Sequence, residues 1–266
     1  MTHIRKQVLT IAGSDSGGGA GIQGDIKAMS ANGVFAMSVI TAITAQNTEE
    51  VTDVFELPPA TVAAQLDAVF DDFDITAVKT GMLGSAAIVD VVASMLKPQN
   101  ITNLVVDPVM LSKSGHPLSK PDVIDALKTR LFPLALLITP NVHEAQQLSG
   151  IKITSLADAR RAAKVIHGFG CQQVLIKGGH LLAEQATDLL YDGRFFNVFK
   201  GEFIDTPHTH GTGCTLASAI AAHLARGKSV VDAIQAAKAY LTEAIRHGLA
   251  IGHGQGPTDH FYFMER

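Results

Sequence analysis

Short apolar runs of strand length alternate with amphipathic segments of helix length along almost the whole chain. Strand-like runs at 8–12, 37–45, 77–79, 104–107, 135–139 and 173–177 are separated by helix-like segments at 20–31, 58–70, 85–96, 120–131, 141–147 and 156–168. Residues 51–57 read as a further strand beside 37–45, and 188–191 with 195–198 as a hairpin turned at Asp192-Gly193. Two long helices, 211–225 and 229–247, close the chain. Repeated β-α-β units demand right-handed crossovers and strands covered on both faces. The fold class expected is therefore α/β: a three-layer α-β-α arrangement with a mostly parallel central sheet. An apolar content of 47% against 17% charged residues suits strands buried on both sides and argues against disorder. No Ser/Pro-rich linker and no repeat divides the chain, so residues 1–266 are read as one domain.

In such sheets ligands bind beyond the carboxyl ends of the strands. The loops that follow the strands here are chemically unusual: 13–19, Gln46-Asn47, Thr80-Gly81-Met82, 107–110, Pro140-Asn141 and 177–180. Their convergence on one rim predicts a site there. A net charge of −4 without a basic run excludes a nucleic-acid partner from the expectation. Two cysteines, Cys171 and Cys214, are too few for a disulfide framework. The first apolar run reads as a strand rather than a signal peptide, and no run approaches the ~18 apolar residues of a membrane span. A cytoplasmic protein with no membrane partner is expected.

The strongest chemical signal is His208-Thr209-His210-Gly211-Thr212-Gly213-Cys214-Thr215, where a loop enters a long helix. Gly211, Thr212 and Gly213 can turn their N–H groups toward one point, and the helix start adds partial positive charge. Together they suit a phosphoryl group whose charge is changing. Cys214 stands at the helix N-terminus, a position that lowers thiol pKa values, and is expected to accept a proton from an attacking hydroxyl. The alternative is a glycine turn with a buried cysteine.

The loop from Gly13 to Asp25 contains Gly19-Ala20-Gly21-Ile22-Gln23-Gly24, a formal GxGxxG. That pattern wants its first glycine tight against the strand end and an acidic residue about 20 residues on. Here the strand is read as ending six residues earlier, so the loop is taken as a flexible approach to substrate instead. Asp25, in the following helix, reads by itself as a solvated helix residue. Gln46 offers a donor and an acceptor at a strand end, matched to an aminopyrimidine edge. Met82 supplies an adaptable apolar surface. Asp107 and Glu144 are candidate Mg²⁺ carboxylates. Asn141 with Glu144 equally fits a capping box. Lys177 is placed to neutralise ATP phosphates. His143 and His180 lack metal-ligand spacing, and Cys171 reads as a packed small hydrophobe. No P-loop, HRD or DFG motif is present, so a kinase with this sequence must hold phosphate through several loops.

Seven ordered motifs, from Leu9–Asp25 through Thr44–Thr48, Lys79–Met82, Val106–Met110, Leu137–Asn141 and Lys177–His180 to Thr209–Thr215, together resemble the hydroxymethylpyrimidine kinase/phosphomethylpyrimidine kinase family of thiamine biosynthesis. The resemblance runs to Gly256-Pro257 and His260-Phe261. It implies a ribokinase-like fold, a homodimer, and two ATP- and Mg²⁺-dependent phosphorylations. These act on 4-amino-5-hydroxymethyl-2-methylpyrimidine and then on its monophosphate. By the same resemblance Gln46 pairs with the pyrimidine, and Gly13, Asp25, Thr44, Met82 and Val109 line its pocket. Cys214 is the base beside the anion hole of residues 211–213. Asn141, Lys177 and Thr209 face ATP, with Asp107 and Glu144 on the metal side. Gly24 stands where alanine is commoner. The rival within the fold is a pyridoxal kinase, in which methionine tends to replace Gln46. Outside it, the rivals are a dinucleotide-dependent oxidoreductase and a non-catalytic pyrimidine sensor.

Overall fold

The residues at 8–12 have no polar face, and the first strand is accordingly buried on both sides: Leu9 and Ile11 pack one way, Val8 the other. The computed structural model describes residues 5–110, 121–179 and 186–264. Among these, nine strands form one sheet: β1 (Gln7–Asp15), β2 (Phe35–Gln46), β3 (Val51–Glu56), β4 (Ile75–Thr80), β5 (Leu104–Val106), β6 (Leu137–Ile138), β7 (Gln173–Lys177), β8 (Ala186–Tyr191) and β9 (Phe196–Gly201). Their order is β3-β2-β1-β4-β5-β6-β7-β8-β9. The six strands from β2 to β7 in that order pair in parallel, and antiparallel β3, β8 and β9 extend the two edges.

Helices cover both faces, as the alternation predicts. Helices α2 (Pro59–Asp72), α3 (Ala86–Leu96), α4 (Pro121–Ala126), α5 (Val142–Ser149) and α6 (Leu156–His167) contribute to one apolar core. Helices α1 (Gly21–Ala31), α7 (Thr212–Ala225) and α8 (Val230–Arg246) build the other. Side-chain caps start α3, α6 and α8 at Ser85, Ser155 and Ser229. Helix α7 is apolar all round and is buried along nearly its whole length. None of the described helices is long and apolar enough to cross a membrane.

Several boundaries differ from the sequence reading. Strand β1 does not stop at residue 12. A bulge between Ala12 and Ser14 lets Ser14 and Asp15 go on pairing with Ile43 and Thr44 of β2. The glycine-rich loop therefore starts at Ser16, closer to Gly19 than expected, although residues 16–20 still separate strand from helix. The segment read as one helix over 120–131 is α4 followed by a π-turn at Leu127–Leu131. Lys120 lies outside the described residues.

One charged pair lies inside the sheet. The Lys79 Nζ on β4 is 2.8 Å from both carboxylate oxygens of Asp25 on α1. Neither side chain is exposed at all (0% for each). Thr10 on β1 donates to the same carboxylate at 2.6 Å and Ser218 on α7 at 2.7 Å. Burial pulls the Lys79 ammonium toward neutrality, but Asp25, Cys214 and Asp107 more than offset it and hold its pKa above the ordinary lysine value. A buried pair withstands desolvation only when its remaining positions are filled, and here they are. Replacing Lys79 with methionine strands the Asp25 charge. Lys79→Met is expected to cost roughly 3–5 kcal/mol in denaturant unfolding, and a loss below about 1 kcal/mol would show that the pair carries no such weight.

Candidate active site

The carboxyl ends of β1, β2 and β4 to β7 open into a cavity of about 680 Å³. Every loop singled out from the sequence contributes to its wall. On one side lie Gly13, Thr44, Gln46, Met82 and Val109; on the other lie Asn141, Glu144, Lys177, Thr209 and residues 211–214, with Asp107 between them.

The period-two alternation of β2 puts Thr44 and Gln46 on one face. Thr44 Oγ1 lies 3.0 Å from the Ser14 carbonyl and 3.1 Å from Gln46 Oε1, so its single proton serves one of them. Ser16 Oγ pins the Gln46 main chain, donating to its O at 2.7 Å and accepting from its N at 2.8 Å. Met82 closes over Gly13: a Cβ there would lie 2.5 Å from Met82 Cε. Glycine at 13 thus lets the thioether form the wall, rather than supplying a flexible approach.

Asp25 does not reach the cavity. It lies behind the wall, fully buried in the pair with Lys79, which corrects both its reading as a solvated helix residue and its place in the pocket lining. The carboxylate that does line the cavity on this side is Asp15, which the sequence reading left without a role. Asp15 accepts from the N–H groups of Gly17, Gly19 and Ala20 and lies 2.8 Å from His210 Nε2. Burial pushes its pKa upward, but the His210 contact and the Ala20 and Gly17 amides outweigh burial and hold it below the usual carboxylate value. Asp15 thereby ties the first glycine loop to the loop that enters α7.

That junction is backbone against backbone. Gly211, the N-cap of α7, sits at φ +82°, and a Cβ there would lie 1.9 Å from the Gly19 carbonyl oxygen. Only glycine permits this approach. It brings the starts of α1 and α7 to one point, where Gly21 and Cys214 both line the cavity. In the first turn of α7, Thr212 N donates to Thr209 O and Thr215 N to Gly211 O. The amides of Gly213 and Cys214 are left directed out of the helix end, as an anion hole requires.

Cys214 itself departs from expectation. Burial, with Asp25 and Asp107 adding to it, pushes the thiol up to about 11, against the pull of Lys79 and the Gly21 amide. The lowered thiol pKa expected of a helix start does not occur, because desolvation exceeds the effect of the helix end. Cys171 does behave as a packed hydrophobe: it is buried, and burial pushes its thiol up to about 12.

Beside the hole stands a compact charge cluster. Asp107 Oδ1 accepts from Lys177 Nζ at 2.7 Å and from Thr139 Oγ1 at 3.0 Å. A Cβ on Gly213 would lie 3.4 Å from Lys177 Nζ and 3.7 Å from Asp107 Oδ2, so this ion pair adjoins the anion hole. Asn141 and Glu144 form the full capping box of α5, and both also line the cavity, so the two readings of this pair are compatible. Burial pushes Glu144 up to about 7; Lys177 opposes the shift and Asp107 adds to it. For Lys177 burial lowers the pKa, but Asp107 and Glu144 more than offset this and raise it. Among the described residues no three His, Cys, Asp or Glu side chains gather as a metal-ligand set. Two carboxylates beside an anion hole do fit Mg²⁺, which keeps waters and takes phosphate oxygens as its other ligands. His143 is exposed and bonds Gln147, and His180 lies outside the described residues. At the far end of the cavity Lys238 on α8 pairs with Asp188 on β8, which also accepts from Gly178 N. No local pattern marks either residue.

Comparison with known proteins agrees with this geometry. Residues 15–259 match the family described as Phosphomethylpyrimidine kinase. A hydroxymethylpyrimidine/phosphomethylpyrimidine kinase of Haemophilus influenzae is 49% identical over 268 residues, covering 99% of both chains. The thiamine biosynthesis bifunctional protein ThiED of Geobacter sulfurreducens is 49% identical over 98% of this chain, which spans only 53% of that longer protein. Among solved structures, the ADP complex of a Bacillus subtilis pyridoxal kinase superposes with a TM-score of 0.91 at 42% identity, covering 98% of this chain and 99% of that one.

Proposed function

The chain belongs to the phosphomethylpyrimidine kinase family, and on that premise we propose that it transfers phosphate from ATP to 4-amino-5-hydroxymethyl-2-methylpyrimidine and then to the resulting monophosphate. One observation carries the reading: a single cavity joins the glutamine- and methionine-bearing wall to an anion hole flanked by Lys177 and Asp107. The first wall suits a flat aminopyrimidine, and the second suits polyphosphate.

In this assignment Gln46 pairs with the amino group and ring nitrogen, while Met82 and Val109 hold the ring. The Gly213 and Cys214 amides receive the transferring phosphoryl group. Asn141, Lys177 and Thr209 face the nucleotide. Asp107 and Glu144 would hold Mg²⁺, which when bound neutralises phosphate charge. Transfer forms a bond from the acceptor oxygen to the γ-phosphorus and breaks the γ-phosphorus bond to the β,γ-bridging oxygen. The hydroxymethyl proton goes to the Cys214 sulfur. Only the thiolate can take it, and that form is scarce at neutral pH with the thiol at about 11. Lys79, Lys177 and the Gly21 amide favour it. A cytoplasmic location is inferred, as a compartment that supplies ATP.

The second reading is a pyridoxal kinase, favoured by the superposition on the Bacillus subtilis enzyme. ADP release from ATP and Mg²⁺ with hydroxymethylpyrimidine, its monophosphate or pyridoxal separates the two. Turnover of the first two above pyridoxal is expected, and Gln46→Met should raise KM for the pyrimidine with little change for ATP. Faster turnover of pyridoxal, or an unchanged pyrimidine KM in the variant, would defeat the assignment.

The two acceptors make different demands on Cys214. An alcohol must lose a proton, whereas a phosphate monoester, with a second pKa near ~6, arrives ionised. Cys214→Ala should lower kcat on the alcohol by roughly 10²-fold and on the monophosphate much less. Equal losses on both acceptors would remove the base role.

We also infer a homodimer. Ile43 and Phe55 face each other across β2 and β3 and are 48% and 61% exposed, an apolar pair beside the open edge strand. Sedimentation should give twice the 28.1 kDa chain mass, and Phe55→Glu should halve it. A wild-type monomer would refute the pairing.

A further inference from the structure

The segment 256–260 lies off the cavity wall and reaches the anion loop from behind. His210 N donates to Gly256 O at 3.1 Å, and His210 and Pro257 form a parallel bridge. Asp259 N donates to Ala244 O and Tyr240 OH to His260 O, both at 3.0 Å, which anchors the segment on α8. The His260 ring, 4% exposed, is thereby held with Nε2 3.1 Å from Thr215 Oγ1. Thr215 Oγ1 is in turn 2.8 Å from the carbonyl oxygen of Gly211, the same oxygen that accepts the Thr215 N–H at 2.9 Å.

The proton count fixes the direction of this chain. Thr215 has one hydroxyl proton, and the Gly211 carbonyl can only accept. If Nε2 carried no proton, either the Oγ1 contact with Gly211 or the contact with His260 would set lone pair against lone pair. The only arrangement without that repulsion is Nε2–H to Oγ1, and Oγ1–H to the Gly211 oxygen. Burial, with Lys27 adding and Asp259 opposing, pushes the ring to about 4, so it is neutral, and the proton count above puts its one N–H on Nε2. The mechanism above leaves this histidine unused.

We propose that His260 is a positioning residue for phosphoryl transfer, acting through Thr215 to fix the Gly211 carbonyl and so to aim the Gly213 and Cys214 amides. The Gly211 peptide is the pivot of the anion hole. It is left-handed, it lies against Gly19, and its carbonyl shares one planar peptide with the Thr212 N–H and accepts from Thr215 N, so it closes the turn that carries the Gly213 and Cys214 amides. Asp15 holds the loop from the cavity side through His210, and His260 holds it from the core side. A hole that must meet charge developing in the transition state loses rate, not ground-state affinity, when it is misaimed.

The proposal rests on the phosphotransfer reading, so the acceptor assayed is whichever one the wild type turns over. His260→Leu is expected to lower kcat by about 10- to 100-fold with KM for the acceptor within about twofold. His260→Gln, whose amide can supply the same donor, should keep kcat within about threefold. Thr215→Val should match the leucine variant, and the double variant should lose no more than the larger single loss, because one chain is broken once. An unchanged kcat in folded His260→Leu, or a double loss equal to the product of the singles, overturns the proposal. Should the leucine variant fail to fold, Thr215→Ser and Thr215→Val decide: full kcat with serine and loss with valine supports the relay, and equal rates refute it. Long-range ¹H–¹⁵N NMR of the His260 ring is independent of the activity. An Nε2–H ring supports the relay and an Nδ1–H ring overturns it, whatever the enzyme phosphorylates.

Discussion

The buried carboxylate of Asp25 is the point from which the rest of the site is built. It takes both contacts from Lys79 and one each from Thr10 and Ser218, so a single side chain joins β1, α1, β4 and α7. Such a group is costly to desolvate, and it persists only because each acceptor position is met. Ser218 lies one helical turn beyond Cys214, so the pair also sets the rotation of α7 about its axis. The same ammonium sits near enough to the Cys214 sulfur to pull its pKa down against burial. Structure and electrostatics around Cys214 therefore share one anchor.

A second constraint acts at the backbone. The Gly19 and Gly211 peptides approach more closely than any Cβ allows, and Asp15 and His210 lock that contact. The consequence is two helix starts aimed at one point, with partial positive charge from both. In the proposed reaction, phosphate would thus be met by main-chain amides and a lysine rather than by a P-loop. Fixed dipoles of this kind need no reorganisation when charge moves in the transition state.

The legible part of the site was the part written locally. Gln46, Met82, Asp107, Asn141 and Lys177 each follow or end an apolar strand, so the topology of a parallel sheet sends them to one rim with no knowledge of contacts. The capping box of Asn141 and Glu144 is likewise a four-residue pattern. Asp15 and His210 were passed over because their partnership spans 195 positions. Lys79 and Asp25 are 54 apart, and each by itself looks like an ordinary surface charge. Lys238, on the polar side of an amphipathic helix, carries no signal of its pairing with Asp188. The Cys214 error has a physical origin too: a helix start is visible in sequence, whereas the burial that outweighs it is not.

By itself the sequence determined the periodicities, and through them the α/β class, the covered sheet and the rim that bears the chemistry. It also held the ordered motifs by which the family resemblance was drawn. Tertiary structure decided which charges are buried and which face the cavity, the protonation of Cys214, and the long-range contacts that hold the two glycine loops together. The reason is that strand and helix formation follow from neighbours a few residues apart, while desolvation and ion pairing depend on whatever distant chain arrives at the same place.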